Sequence, residues 1–440
     1  MLGFWSATAL VVGHTIGVGI FLTPAELIGA LASPALTFGL WLACGALVLA
    51  GAFTFGELAS RFPQAGGPYV YLRQAWGQRI AFLYGWQCLL IMDPGITAAL
   101  ALGLSQYLVV LWPAAAGGER WLALGTIWAL ALVNMAGLRL SSRVLNLLTS
   151  VKILALAAIV VGAFTIGAGS WSHFVPFIAR RPGAPPIVEA LGLGLIGAFY
   201  SFGGFWEASR VAGEMRDPRR QLPRALAFGV AAVTAVYLLT TVAFVYLVPV
   251  EQSTSPSAFG RQAGEALLGR SGANALASVV VLSVVASAMA LLLMAPRVYL
   301  AMSRDGLFPA ALASIHPLTK APVRATALLA GVASVFVLSG TFSQIVAFFM
   351  CTTLAFIALA AAGLFVVRRR AAQMAGFGAP GYPATPALFV LLVLAVVALI
   401  ALARPLLGTG GLRACAARSA GLPCLRGPRS ARRAHSGWRN

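Results

Sequence analysis

The sequence predicts an all-α integral membrane protein, and three observations carry that reading. Hydrophobic residues make up 60% of the 440 residues and charged residues only 10%, a balance outside that of soluble domains. Apolar runs long enough to cross a hydrocarbon core, about 20 residues each, recur along the chain. Two of them, far apart, are interrupted by glycines, at Gly13-His14-Thr15-Ile16-Gly17-Val18-Gly19-Ile20-Phe21 and at Tyr200-Ser201-Phe202-Gly203-Gly204-Phe205-Trp206-Glu207.

The apolar runs fall at 4–30, 35–60, 80–112, 121–138, 144–168, 187–210, 223–248, 273–302, 324–340, 342–367 and 386–403, which predicts about eleven spans, the ninth and tenth separated by Gly340-Thr341. The opening stretch has no basic n-region and no small-residue cleavage site, so it reads as the start of span 1 rather than a signal peptide. Arginine and lysine concentrate in loops after even-numbered spans: Arg61, Arg73 and Arg79; Arg139 and Arg143; Arg210, Arg216, Arg219, Arg220 and Arg224; Arg297, Arg304, Lys320 and Arg324; Arg368 to Arg370. The opposite loops carry few, among them Arg120 and Arg270. The positive-inside rule then places the richer loops and the N-terminus in the cytoplasm, with the protein in the cytoplasmic (inner) membrane.

The formal charge of +20 does not argue for a nucleic-acid partner, because the basic residues sit between apolar runs or in the last forty residues and not on one amphipathic face. After Leu407 the apolar pattern gives way to an arginine-rich stretch, and 408–440 reads as a disordered basic tail. So abrupt a change suggests a reading-frame shift that replaced a twelfth helix; the alternative is a genuine tail drawn to anionic lipid. The five cysteines show no CxxC or Cys/His spacing, so neither a metal site nor a disulfide framework is indicated. No nucleophile and base pairing and no GxxxxGK[ST] loop occurs, so neither enzymatic catalysis nor ATP-driven movement is expected. No cofactor is called for.

The glycine breaks carry the chemistry. A mid-membrane break leaves peptide groups unpaired, which hydrocarbon tolerates only where protein or a wet cavity supplies partners. Two such breaks in corresponding halves of a chain point to a transporter's substrate site. Free N–H groups at Val18, Gly19 and Ile20, at the positive end of the outer half of span 1, suit a carboxylate. Carbonyls near His14, Thr15 and Ile16, before Gly17, and near Tyr200, Ser201 and Phe202 suit an ammonium. Gly203 and Gly204 permit close approach, leaving Phe202, Phe205 and Trp206 as candidate walls. Close helix packing of small residues is the competing reading of each break.

Lys152 is the only lysine inside an apolar span. A central cation costs about 2.5–3.5 kcal/mol on insertion scales, so it either serves a purpose or snorkels to the headgroups. Asp93, before Pro94 in span 3, and Glu207, past the second break, are candidate proton sites; His14, beside the first break, is a third. Asp93 could instead satisfy backbone freed by Pro94, and Glu207 could pair with Arg210. Glu57 and Glu214, with Arg219 and other arginines nearby, read as ion pairs of a cytoplasmic gate or as solvated loop charge.

Four separated motifs resemble one family. Gly17-Val18-Gly19-Ile20-Phe21, Glu57-Leu58 with Pro63-Gln64-Ala65-Gly66-Gly67-Pro68-Tyr69, Gly213-Glu214 with Asp217-Pro218-Arg219-Arg220-Gln221-Leu222-Pro223-Arg224-Ala225, and Ser303-Arg304-Asp305-Gly306-Leu307-Phe308-Pro309 resemble the amino acid, polyamine and organocation (APC) superfamily of secondary transporters. Within it the chain looks most like prokaryotic permeases related to the L-type and cationic amino acid transporters. The resemblance implies a five-plus-five inverted repeat, 1–168 and 187–367, with discontinuous helices 1 and 6 and a peripheral helix at 386–403. It implies alternating-access movement of amino acids, proton-coupled or by exchange. By the same resemblance the Lys152 ammonium would occupy the place of sodium in sodium-coupled relatives, tying span 5 to span 1 carbonyls and to Ser283 or Ser287 of span 8. The chain departs from the pattern at Val18, where a small hydroxyl residue is usual, in starting almost inside span 1, and in its missing twelfth helix. A polyamine or basic amino acid antiporter and a non-transporting amino acid sensor are the alternatives. The expected partners are an amino acid and the lipid bilayer, with oligomeric state undetermined.

Overall fold

The computed structural model describes residues 2–17, 19–167, 169–249, 256–340, 342–370 and 376–403. Val18 and the tail 404–440, with the expectations attached to them, lie outside the described residues. Span 1 is split into α1 (Phe4–Thr15) and α2 (Gly19–Leu31). There follow α3 (Pro34–Arg61), α4 (Pro68–Trp76), α5 (Gln78–Gln87), α6 (Asp93–Leu111), α7 (Glu119–Met135) and α8 (Leu138–Thr165). The second half of the chain holds α9 (Ile187–Ser201), a 3-10 segment Phe205–Glu214, α10 (Pro218–Leu247), α11 (Pro256–Met294), α12 (Pro296–Arg304), α13 (Val323–Ser339), α14 (Phe342–Arg370) and α15 (Ala384–Ala403). Among the described residues there is no strand, only an isolated bridge between Leu2 and Met215.

Among the described residues seven stretches are long and apolar enough to cross a membrane: Pro34–Arg61, Gln78–Leu111, Leu138–Thr165, Ile187–Glu214, Pro218–Leu247, Ser271–Arg304 and Thr352–Arg370. Shorter apolar helices at Val323–Ser339 and Ala384–Leu399 join them. With the divided first span and α7, these match the eleven expected positions. The protein is a multi-pass, all-helical membrane protein.

Local sequence explains the punctuation. Ser33 caps α3 through its hydroxyl, which accepts from the Leu36 N–H, and Pro34 follows at the first turn. Gly77, at φ 90°, turns α4 into α5. Pro94 has no N–H to give the helical ladder, and a five-residue π-helical turn, Cys88–Met92, absorbs the mismatch just before it. α11 bends at Leu268 and Gly269, whose backbone angles are not helical, so its membrane-crossing part begins at Ser271.

Packing converges on the divided span. α1 lies against α8, α10, α11 and the 3-10 segment, while α2 lies against α9 and α11. The contact of α1 with α8 is close enough that a Cβ on Gly13 would fall 2.5 Å from the Thr149 hydroxyl. Two basic residues read as loop charges need correction here, and one of them, Arg297, is buried in α12 and paired with Glu214. Arg210, read as a loop charge, is fully buried in the 3-10 segment; its neighbours on that segment make it an interior ion, not a topology signal.

Candidate functional site

α1 ends where Ile16 leaves the helical region, and α2 restarts at Gly19. The N–H groups of the first turn of α2 have no intrahelical acceptor. α9 ends at Ser201, and Gly204 takes the left-handed conformation at φ 97° before the 3-10 segment begins. The two breaks meet. A Cβ on Gly19 would come within 2.7 Å of the Ser201 hydroxyl, and one on Gly204 within 2.3 Å of the His14 ring. The Tyr237 hydroxyl of α10 bridges them, 2.9 Å from the Thr15 carbonyl and 2.6 Å from that of Ser201. The Thr23 and Ser201 hydroxyls lie 2.7 Å apart.

Between the breaks lies a cavity of about 70 Å³. Thr15, Gly17, Gly19, Tyr200, Ser201, Gly203 and Gly204 from the expected set line it, with His14 and Trp206. Ile16, Ile20, Phe202 and Phe205 do not. Ile16 and Ile20 are buried in the core. Phe202 packs on Trp41 and Tyr237, and Phe205 on Phe55 and Phe389, so these two rings support the wall from behind. Of the side chains lining it, Thr15 has a buried hydroxyl with no hydrogen-bond partner among the described residues, while the Trp206 indole lies beside the Glu207 carboxylate. Buried polar groups are nearly always satisfied, so the Thr15 hydroxyl is a group that a bound polar ligand would complete.

The opposite wall was not visible in the sequence. Ile96 and Leu100 of α6 and Phe349 and Met350 of α14 close it. They sit in long apolar helices where nothing in the pattern separates a cavity wall from ordinary core.

Lys152 lies on the buried stripe of α8, with Leu145, Thr149 and Leu156 at three- and four-residue spacing. Its ammonium donates to the carbonyls of Gly13 (2.9 Å), Ile16 (2.5 Å) and Ser283 (3.1 Å). Three donors thus meet three acceptors. The side chain turns inward rather than to the headgroups and is fully buried. Ser283 and Ser287 donate to the same Ile16 carbonyl, at 3.2 and 3.1 Å, and Ser287 also to Gly13 at 3.0 Å. The contact to Ser283 is with its backbone carbonyl and not its hydroxyl. His14 Nδ1 lies 3.2 Å from the Ser287 carbonyl. The Thr15 and Ile16 carbonyls, expected to face an ammonium ligand, are therefore already engaged by Tyr237, Lys152 and the two serines.

Asp93 and Glu207 flank one buried guanidinium. Arg210 Nη1 is 2.8 Å from Asp93 Oδ1, and Arg210 Nε is 2.7 Å from Glu207 Oε2. The second is a charge contact without an aligned hydrogen bond. Tyr299 of α12 donates to the other Asp93 oxygen at 2.8 Å. Neither acid lines the cavity, and Asp93 serves this cluster rather than backbone freed by Pro94.

At one end of the bundle, Glu57 pairs with Arg61 (2.8 Å) and Arg368 (2.5 Å) and accepts from the Ala379 N–H at 2.7 Å. Glu214 pairs with Arg297 at 3.0 Å, and Asp305 with Arg73 and Tyr69. Burial, with the Asp305 carboxylate beside it, pushes the Tyr69 phenol well above its ordinary value. Arg219 is exposed at the start of α10. The partners of the two glutamates come from other elements, which sequence proximity could not indicate. Among the described residues no cluster of three or more His, Cys, Asp or Glu could hold a metal.

The family model for amino acid permeases matches residues 2–410. The chain is 28% identical over 375 residues to the b(0,+)-type amino acid transporter 1 of Oryctolagus cuniculus, covering 83% of this chain and 76% of that one. It is 30% identical over 329 residues to the Large neutral amino acids transporter small subunit 2 of Homo sapiens, with coverage of 74% and 61%. It is also 30% identical over 346 residues to the Asc-type amino acid transporter 1 of Mus musculus, with 77% and 65%. The chain thus spans about three-fifths to three-quarters of the length of these relatives. They are mammalian, whereas the motifs suggest prokaryotic permeases.

Proposed function

The chain belongs to the amino acid permease family, and from that premise we propose that it carries amino acids across the cytoplasmic membrane by alternating access, with its N-terminus in the cytoplasm. The observation that supports the site is the cavity built from both helix breaks, which meet through the Tyr237 hydroxyl. The substrate carboxylate lies against the first turn of α2, where free N–H groups and the helix dipole favour negative charge. Its ammonium turns to the carbonyls from Tyr200 to Phe202 at the end of α9; Thr15 and Ser201 share the Tyr237 hydroxyl, and Ile16 is taken by Lys152. Gly204 keeps that approach open: a side chain there would strain the backbone and strike His14.

Residues 1–168 and 187–367 form two inverted repeats, each opening on a broken span, with 386–403 peripheral. Lys152 acts as a tethered cation, joining α8 to the carbonyls of α1 and α11 so that the first break changes shape only if this station does. Asp93, Glu207 and Arg210 together leave one negative charge, which a single proton cancels; this cluster and His14 are where proton coupling acts, with exchange of one amino acid for another as the alternative drive. Glu57 with Arg368, Glu214 with Arg297 and Asp305 with Arg73 form the cytoplasmic gate, and Arg219 is not part of it.

Counterflow of labelled amino acids into proteoliposomes holding the full chain tests the transport reading. Trans-stimulated uptake is expected, and Thr15→Val, which removes the unpartnered hydroxyl, should weaken the apparent substrate affinity about tenfold, the equivalent of one lost hydrogen bond. Binding without any flux would make the chain a sensor.

A further inference from the structure

We propose that a phospholipid with an anionic headgroup docks where the turn between α7 and α8 meets the loop 314–322. Arg139, Arg143 and Lys320 hold its phosphate, and its acyl chain lies along α8. The proposal goes beyond the transport reading and does not depend on it.

Uncompensated charge is the first observation. The chain has no aspartate or glutamate between Glu119 and Glu189 and none after Asp305, so the basic residues of these two segments have no acid of their own to pair with. The fold brings the segments together. A Cβ on Gly137 would fall 2.7 Å from the Thr319 carbonyl oxygen, which sets Arg139 two residues from the contact on one side and Lys320 one residue from it on the other. Arg143 follows a turn later on α8, and Arg324 lies in the first turn of α13. All four are exposed, and among the described residues none has an ion pair or a side-chain hydrogen bond. Arg73, Arg297 and Arg368, by contrast, each have an acid partner.

The apolar surface beside these cations distinguishes a lipid from a free anion. Helical spacing puts positions 139 and 143 on the same side of α8 as Leu140, Leu147 and Leu154, which are 47%, 64% and 69% exposed. That outward stripe changes from basic to apolar along the helix, as a lipid changes from headgroup to chain. The loop repeats the pairing, with Leu318 86% exposed two residues before Lys320. Its turn is fixed by the His316 N–H donating to the Ala321 carbonyl and the Lys320 N–H to that of His316, both at 2.9 Å. A free phosphate would use the cations and leave the leucines in water; an anionic lipid uses both, and basic residues at the ends of membrane spans attract such headgroups. Lys152 turns inward from the opposite side of α8, so the lipid seats on the back of the helix that holds the first break.

The test is native mass spectrometry of the full chain in detergent, titrated with dioleoyl phosphatidylglycerol, with dioleoyl phosphatidylcholine or with inorganic phosphate. The anionic lipid should bind more tightly than the zwitterionic one by about tenfold or more. Arg139→Gln combined with Lys320→Gln should weaken it about 25-fold, a factor of about five for each cation removed. Arg219→Gln combined with Arg220→Gln, an equal loss of exposed charge elsewhere, should leave it unchanged. If the first pair does not yield folded protein, Arg143→Gln combined with Arg324→Gln takes its place. Equal binding of the two lipids overturns the proposal, as does equal weakening by the two pairs of substitutions. Inorganic phosphate binding as tightly as phosphatidylglycerol also overturns it, since the leucines would then contribute nothing.

Discussion

Among the described residues two cations, Lys152 and Arg210, are wholly buried, and they are held in opposite ways. Lys152 is surrounded by three neutral carbonyls from α1, the first break and α11. Arg210 is clamped between the carboxylates of Asp93 and Glu207. A compact ammonium with three rotatable donors fits a shell of backbone oxygens, whereas a planar guanidinium suits carboxylates on two sides. The difference separates two tasks. The lysine reports on backbone shape at the break, since its partners are peptide groups that move with it. The arginine joins side chains of α6 and the 3-10 segment, so its removal exposes charges rather than altering the break.

That contrast orders the expected effects of substitution. Arg210→Met leaves two buried carboxylates unpaired, and losing one partner of a buried ion pair costs about 3–5 kcal/mol. A clear drop in the melting temperature of the purified protein is expected, with recovery when Asp93→Asn and Glu207→Gln are added. If the single variant melts like the parent, the guanidinium is not what balances those acids.

Lys152→Met should be milder for the fold, because the Ser283 and Ser287 hydroxyls, with one proton each, still serve two of the three carbonyls of Gly13, Ile16 and Ser283. A loss of about 1–3 kcal/mol is expected, against a fall in counterflow of more than about tenfold, the effect of one lost transition-state contact. Normal flux from this variant would erase the distinction between the two cations.

Tyr237→Phe removes the hydroxyl between the two breaks and should cost about 1 kcal/mol, read as a small melting shift with weakened substrate protection. Arg219→Ala, at an exposed position, should lie within about 0.5 kcal/mol of the parent. Arg297→Ala, which frees Glu214 from its partner, should exceed it in both stability and flux, separating a gate pair from a surface charge.

The architecture was legible because hydrocarbon imposes a single rule on long segments: apolar length of about twenty residues and internal backbone pairing. The glycines at 17, 19, 203 and 204 were legible for the same reason, as exceptions to it. Lys152 stood out as a costly cation, and the 145, 149, 152, 156 stripe shows which way it turns. Arg210 reads as a loop charge because its neighbours in sequence include other arginines of a basic loop; its burial depends on a 3-10 segment packed on α1 and α10, from which its side chain reaches Asp93. Phe202 and Phe205 were taken for walls because they adjoin the glycines, yet the turn at Gly204 points both away and presents Trp206. Phe349, on α14, gave no local signal at all.

Sequence alone determined that this chain is a bundle of membrane helices, where two of those helices must fail, and which ionisable residues would need a reason to be inside. These follow from local cost, since each residue meets the same apolar solvent wherever it stands in the chain. Tertiary structure decided the pairing of Arg210 with Asp93, the carbonyl shell around Lys152, the contact of Gly204 with His14 and the size of the space between the breaks. Each joins residues a hundred or more positions apart, through side-chain directions and helix crossings that no local pattern encodes.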